Sequence, residues 1–94
     1  MTDQNRVGEK STPTLAAHVT MKFDQHRDCW VILAPERVLM LDQIAAEILK
    51  RCDGKTVAAI IDDLAATFEA PRQDIARDVI AMLQDMADKG TIVP

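Results

Sequence analysis

The stretch Trp30-Val31-Ile32-Leu33-Ala34-Pro35-Glu36-Arg37-Val38-Leu39-Met40-Leu41-Asp42 decides the fold of this chain. Two apolar runs of strand length flank a Pro35-Glu36 break, and Asp42 stands where its carboxylate can cap a helix. Cys29–Ala34 is apolar on both faces, which suits a central strand. Arg37–Leu41 is a shorter strand beyond the break. Upstream, Val19, Met21 and Phe23 alternate with Thr20, Lys22 and Asp24, the period of a half-buried strand. Gln25-His26-Arg27-Asp28 is the polar turn between them. Together these segments predict a three-stranded antiparallel meander. If its order is linear, the third strand, Arg37–Leu41, is an edge.

Three helices follow. Ile44, Ala45, Ile48, Leu49 and Cys52 form the apolar stripe of the first, which Gly54 ends. Thr56 caps the second, whose face is Val57, Ile60, Ile61, Leu64 and Phe68. The third starts at Pro71, carries Ile75, Val79, Met82, Leu83 and Met86, and ends at Gly90. Thr91-Ile92-Val93 is a short extended tail. Glu69-Ala70-Pro71 is a joint short enough for a helix-turn-helix. The predicted fold class is therefore α+β: a small winged helix-turn-helix-like domain, a three-stranded antiparallel sheet followed by three helices.

At 94 residues the chain is one domain, with a core that removes only about 60–65% of the unfolded surface from water. Residues 15–94 are expected to form it. Residues 1–14 are polar apart from Met1 and Val7, too poor in apolar surface to offset their ordering entropy, and predict a disordered tail or linker. They contain no apolar signal region, and no run is long enough to span a membrane, so the cytosol is the expected compartment. In that reducing setting Cys29 and Cys52 are expected to be free, partly buried thiols.

Several function classes fall away. The 3 glycines are isolated, so there is no phosphate loop, and no nucleophile elbow or zinc-protease motif occurs. His18 and His26 fall at strand edges or turns, where a solvated histidine is the ordinary case. Cys29, Cys52, His18 and His26 match no compact metal spacing. No catalytic residue, cofactor or metal is expected. A helix-turn-helix suggests DNA, and a winged-helix regulator of transcription is the alternative reading. The net charge of -4 weighs against it, as does the third helix, where Arg72, Arg77 and Lys89 face Asp74, Asp78, Asp85 and Asp88.

Peptide binding fits better. Met82, Ile75, Val79, Met86, Leu83, Ala76, Ala87 and Ile80 cover roughly 160° of the third helix, more than the ~100° that one core contact needs. The surplus can line a groove, or it can pack against strands and helices at once. An exposed third strand can accept an extended peptide along its edge. Arg37 either blunts that edge against aggregation or pairs with an acidic peptide residue.

Pro13-x-Leu15, Trp30-Val31, Ala34-Pro35-Glu36-Arg37-Val38, Leu41-Asp42, Ile48-Leu49, Cys52-Asp53-Gly54, and Asp78-Val79 with Leu83 occur in the order seen in the PqqD family. The chain resembles that family from about Thr12 to Val93. These are the peptide chaperones of pyrroloquinoline quinone (PQQ) biosynthesis, recognition elements for ribosomally made, modified peptides. The resemblance implies a non-catalytic protein that binds the precursor peptide PqqA. It would present PqqA to PqqE, a radical S-adenosylmethionine enzyme that joins a Glu and a Tyr of the peptide. In related elements the leader peptide adds beside the third strand and packs on the third helix. By that likeness the peptide-binding residues here are Arg37, Val38, Leu39, Met40 and Leu41 with Ile75, Asp78, Val79, Met82 and Leu83. The polar start before Thr12 departs from a minimal family member; in some organisms the domain is fused behind PqqC, and the start would then be a linker.

Overall fold

A computed structural model describes residues 6–94. Its elements run β1 (Thr14–Leu15), β2 (Thr20–Asp24), β3 (Cys29–Ala34), β4 (Arg37–Met40), α1 (Gln43–Lys50), α2 (Val57–Phe68), α3 (Arg72–Asp88) and β5 (Ile92–Val93). β2, β3 and β4 form an antiparallel sheet in that linear order, which leaves β4, the third strand of the predicted meander, at one edge. Met21 pairs with Ile32 and Ile32 with Leu39, one row across the sheet. Ile32 has no exposed surface, and Met21 and Leu39 pack against the core. Alternation along the strands therefore sends Val38 and Met40 to the opposite face. Asp24 closes the first turn by accepting hydrogen bonds from the backbone N–H groups of His26 (2.9 Å) and Arg27 (3.3 Å).

Capping fixes where the helices begin. The Asp42 carboxylate accepts from Ala45 N–H at 2.7 Å, and the Thr56 hydroxyl accepts from Ala59 N–H at 3.2 Å. Each satisfies a donor that the helix itself leaves unpaired. α1 stops at Lys50, short of Cys52, and a turn carries the chain to Gly54 at φ +84°, a backbone state that favours glycine. Ile60, Ile61, Leu64, Val79 and Leu83 join α2 to α3, and Ile32 and Ile48 bring in the sheet and α1. No aromatic ring belongs to this core: Phe23 is 40% and Phe68 44% exposed, and Trp30 is half-buried. Phe23 shares the face of β2 that carries Met21, but at the end of the strand it lies beyond the core and stands edge-on to Trp30 at 5.5 Å.

Residues 6–14 depart from the disordered tail that the sequence predicts; residues 1–5 lie outside the described residues. Val7 is 5% exposed within the core cluster, and Pro13 is fully buried. The backbone carbonyls of Ser11 and Glu9 accept from the N–H groups of Val57 (2.8 Å) and Ala58 (2.9 Å), capping the first turn of α2 from outside the helix. The Glu9 carboxylate pairs with Arg72 at 2.8 Å, and this hydrogen bond holds its pKa below the usual carboxylate range. β1 pairs with β5, Thr14 opposite Val93 and Leu15 opposite Ile92, so the two ends of the domain form a second small sheet. The segment orders itself by lending backbone acceptors to α2 and one apolar side chain to the core. Composition alone misses this, because one valine and one proline suffice. Val7→Ala should therefore cost about 1–2 kcal/mol, the value of two buried methyl(ene) groups. Urea denaturation checks it; an unchanged midpoint would mean that Val7 is not packed.

Candidate functional site

At the edge strand, the Leu41 N–H donates to the Trp30 carbonyl at 2.9 Å, so Leu41 turns its backbone toward β3. In an antiparallel pair this direction alternates from residue to residue. Leu39 and Arg37 therefore also face β3, and the N–H and C=O groups of Val38 and Met40 face outward. The side chains of Val38 and Met40 are 54% and 67% exposed. An open edge of this kind is a template for another strand.

The second feature is an apolar groove of about 380 Å³ lined by Gln43, Ile44, Ile48, Leu64, Phe68, Ile75, Asp78 and Val79. α1, α2 and α3 each contribute to it. Ile48, Leu64 and Val79 are buried and form its floor, whereas Ile44 and Phe68 stand exposed on its walls. Asp78 is the one charged residue in the lining. At the far end of α3, the Arg37 guanidinium donates to the Lys89 carbonyl at 2.8 Å. This contact ties the start of β4 to the C-terminus of α3, where a cation is favoured. The start of α1, just after β4, shares the groove with the first half of α3. β4 and α3 thus run in opposite directions, and the groove opens where the chain leaves the open edge of β4 for α1.

The residues singled out by the sequence divide accordingly. Ile75, Asp78 and Val79 come together in the groove. Met82, at i+7 from Ile75 on the same shoulder of α3, is half-buried against the core. Leu39 and Leu41 also pack against the core from the inner side. Val38 and Met40 present the free backbone edge but aim their side chains at the outer face. Arg37 caps α3. Leu83 has no exposed surface and packs in the core, at the centre of the apolar arc of α3 rather than on its shoulder. Gln43, Ile44, Ile48, Leu64 and Phe68 were not among the predicted site residues. Ile44 lies at the first position of the apolar stripe of α1, and Phe68 at the last position of that of α2. Stripe ends, where packing partners run out, were the available signal.

Beside the groove, Arg51 binds Glu47 (2.7 Å) and Asp63 (2.6 Å), locking α1 to α2. These hydrogen bonds lower the pKa of both carboxylates and raise that of the guanidinium. Among the described residues no group of three or more His, Cys, Asp or Glu side chains is placed to hold a metal ion. Cys29 and Cys52 are free and half-buried, and the Cys52 thiol donates to the Ile48 carbonyl at 3.4 Å. Burial pushes the Cys52 pKa up to about 11. Its stabilising contribution is therefore complete below the unfolded thiol pKa of about 8.5 and is lost as pH rises toward 11, since the unfolded chain deprotonates first. Iodoacetamide at pH 8 should modify Cys52 slowly in the folded protein and rapidly in urea; equal rates would contradict the burial.

Similarity to known proteins gives the family of this chain. The family model of coenzyme PQQ synthesis protein D (PqqD) matches residues 29–92. A PqqA binding protein of Rhodopseudomonas palustris (strain TIE-1) is 61% identical over 85 residues, which span 89% of this chain and 83% of that protein. The solution structure of the PqqD truncation of Methylobacterium extorquens PqqCD, a functional and stand-alone recognition element for ribosomally synthesized and post-translationally modified peptides, superposes with a TM-score of 0.84 at 33% identity, over 99% of this chain and 100% of that one. The crystal structure of PqqD from Xanthomonas campestris is 42% identical, with a TM-score of 0.55 over 88% of this chain and 93% of that one. A family match across most of its length and a relative of this identity place the chain in the PqqD family.

Proposed function

We propose that this protein is a non-catalytic chaperone that binds the PQQ precursor peptide PqqA and presents it to the radical S-adenosylmethionine enzyme PqqE for Glu–Tyr crosslinking. The observation that carries the reading is the open edge of β4, followed directly in the chain by the groove residues Gln43 and Ile44, in a chain whose relatives are named for binding PqqA. The peptide backbone would pair with the free groups of Val38 and Met40, and inward side chains would enter the groove beside Ile75, Asp78 and Val79. No helix among the described residues is long and apolar enough to cross a membrane, and we place the protein in the cytoplasm. In PqqCD a relative is joined to PqqC, and such a fusion here would put the partner domain before residue 6, next to the segment that caps α2.

Holding the peptide on an adaptor docked to the enzyme makes delivery intramolecular, at a local concentration of roughly millimolar for a short tether. Peptide and enzyme must then bind together. Crosslinking of full-length precursor by the radical enzyme, far below saturation, should be faster with this protein than without it. Equal turnover would overturn the presenting role. Amide shifts on peptide addition should concentrate at residues 37–44 and 75–82; shifts confined to the second half of α1 would overturn the site.

A further inference from the structure

We infer that Asp78 selects for a basic residue in the bound peptide, a Lys or Arg whose head group it pairs at the rim of the apolar groove. The inference rests on the proposed peptide site and adds its charge specificity. The other acidic residues of α3 have partners. Asp74 pairs with Arg77 (3.1 Å), Asp85 with Lys89 (3.0 Å), and Asp88 accepts from Gln84 (3.0 Å). Among the described residues Asp78 has no hydrogen bond or ion pair. Yet it lines the groove, and every other lining side chain there is apolar except Gln43. Exposed as it is, the carboxylate keeps its hydration while the groove is open. A peptide that fills the groove strips water from it, and a cationic partner, which adds charge to hydrogen bonding, compensates that loss best.

Two features of the walls favour Lys or Arg over a bare amine. Ile44 is 61% exposed and Phe68 44% exposed, and both line the same groove as Asp78. Long aliphatic stems lie along such apolar walls while their heads stay at the polar rim. The Phe68 ring adds a face that attracts a cation. At the other end of α3 Arg37 carries the opposite charge and caps the helix. The site is therefore electrically polar from end to end. A peptide with its basic residue near α1 and its acidic residue near Arg37 fits in one direction and is repelled in the other.

The test is a double-mutant cycle between Asp78→Asn and synthetic precursor peptides in which each Lys or Arg in turn is replaced by Met. The wild-type protein should lose about three- to tenfold in affinity for one such peptide, and Asp78→Asn should lose a similar factor for the parent peptide. Asp78→Asn should bind the Met peptide no worse than it binds the parent. Raising salt should weaken the wild-type complex more than the Asn variant. Amide shifts at β4 read the underlying site separately. If β4 shifts with the parent peptide but Asp78→Asn binds every peptide as the wild type does, the charge selection is wrong and the peptide site stands. If β4 does not respond to the parent peptide, both fail.

Discussion

Met40→Pro should leave the domain folded and weaken precursor-peptide binding by about tenfold to hundredfold. Hydrogen-bond parity along β4 is the reason. Leu41 donates to Trp30 on β3, so the Met40 N–H points away from the sheet and is unused within the domain. Proline on an edge strand is tolerated where its missing N–H faces solvent. The restriction it places on the preceding residue suits Leu39, which is already extended. A peptide strand added to β4 would lose one donor and meet the proline ring. An acceptor left unpaired as the interface closes costs about 1–3 kcal/mol, which gives the stated range. Val38→Pro should behave in the same way. Leu39→Pro is the control: its N–H faces β3 and its side chain packs on the core, so it should unfold the sheet rather than block the edge. Calorimetric titration beside a urea curve separates these outcomes. Wild-type affinity in both Met40→Pro and Val38→Pro would rule out strand addition at β4.

Most of this site was legible in the sequence, because the signals that built it were local. Pro35-Glu36 ends β3, the Asp42 and Thr56 caps begin α1 and α2, and the spacing of apolar residues fixed which faces the helices bury. Strand order followed from the two short turns, and with it the position of β4 at an edge. What the sequence left open depended on long-range contacts. Ser11 and Glu9 cap α2 through backbone carbonyls, which no side-chain pattern reveals. The pairing of β1 with β5 joins segments at opposite ends of the chain, each only two residues long. The wide apolar arc of α3 was visible, but not which of its shoulders met the groove. That needed the Arg37–Lys89 contact at one end and the apposition of Ile44 with Ile75 and Asp78 at the other. Ile44 and Phe68 stand on apolar stripes in the sequence, but periodicity reports a face and not whether anything covers it.

Leu83→Ala should show how far a core residue can be told from a contact residue on the same helix. Leu83 and Val79 are adjacent on the buried face of α3, but Leu83 has no exposed surface and does not line the groove. Truncating it leaves a cavity between α2 and α3, at a cost of about 3–5 kcal/mol for a leucine that the surroundings cannot replace. A domain of this size has only about 5–14 kcal/mol of stability in total. The urea midpoint should therefore fall by about a fifth or more, and a fraction of the variant should be unfolded near body temperature. Ile44→Ala should do the reverse. Its side chain is already 61% exposed, so stability should change by less than about 1 kcal/mol, while peptide affinity should drop severalfold as one wall of the groove disappears. Affinity of Leu83→Ala, corrected for its folded fraction, should stay near that of the wild type. A stable Leu83→Ala that has lost its affinity would return Leu83 to the binding surface. It would also mean that the peptide enters between α2 and α3, where the domain is now closed.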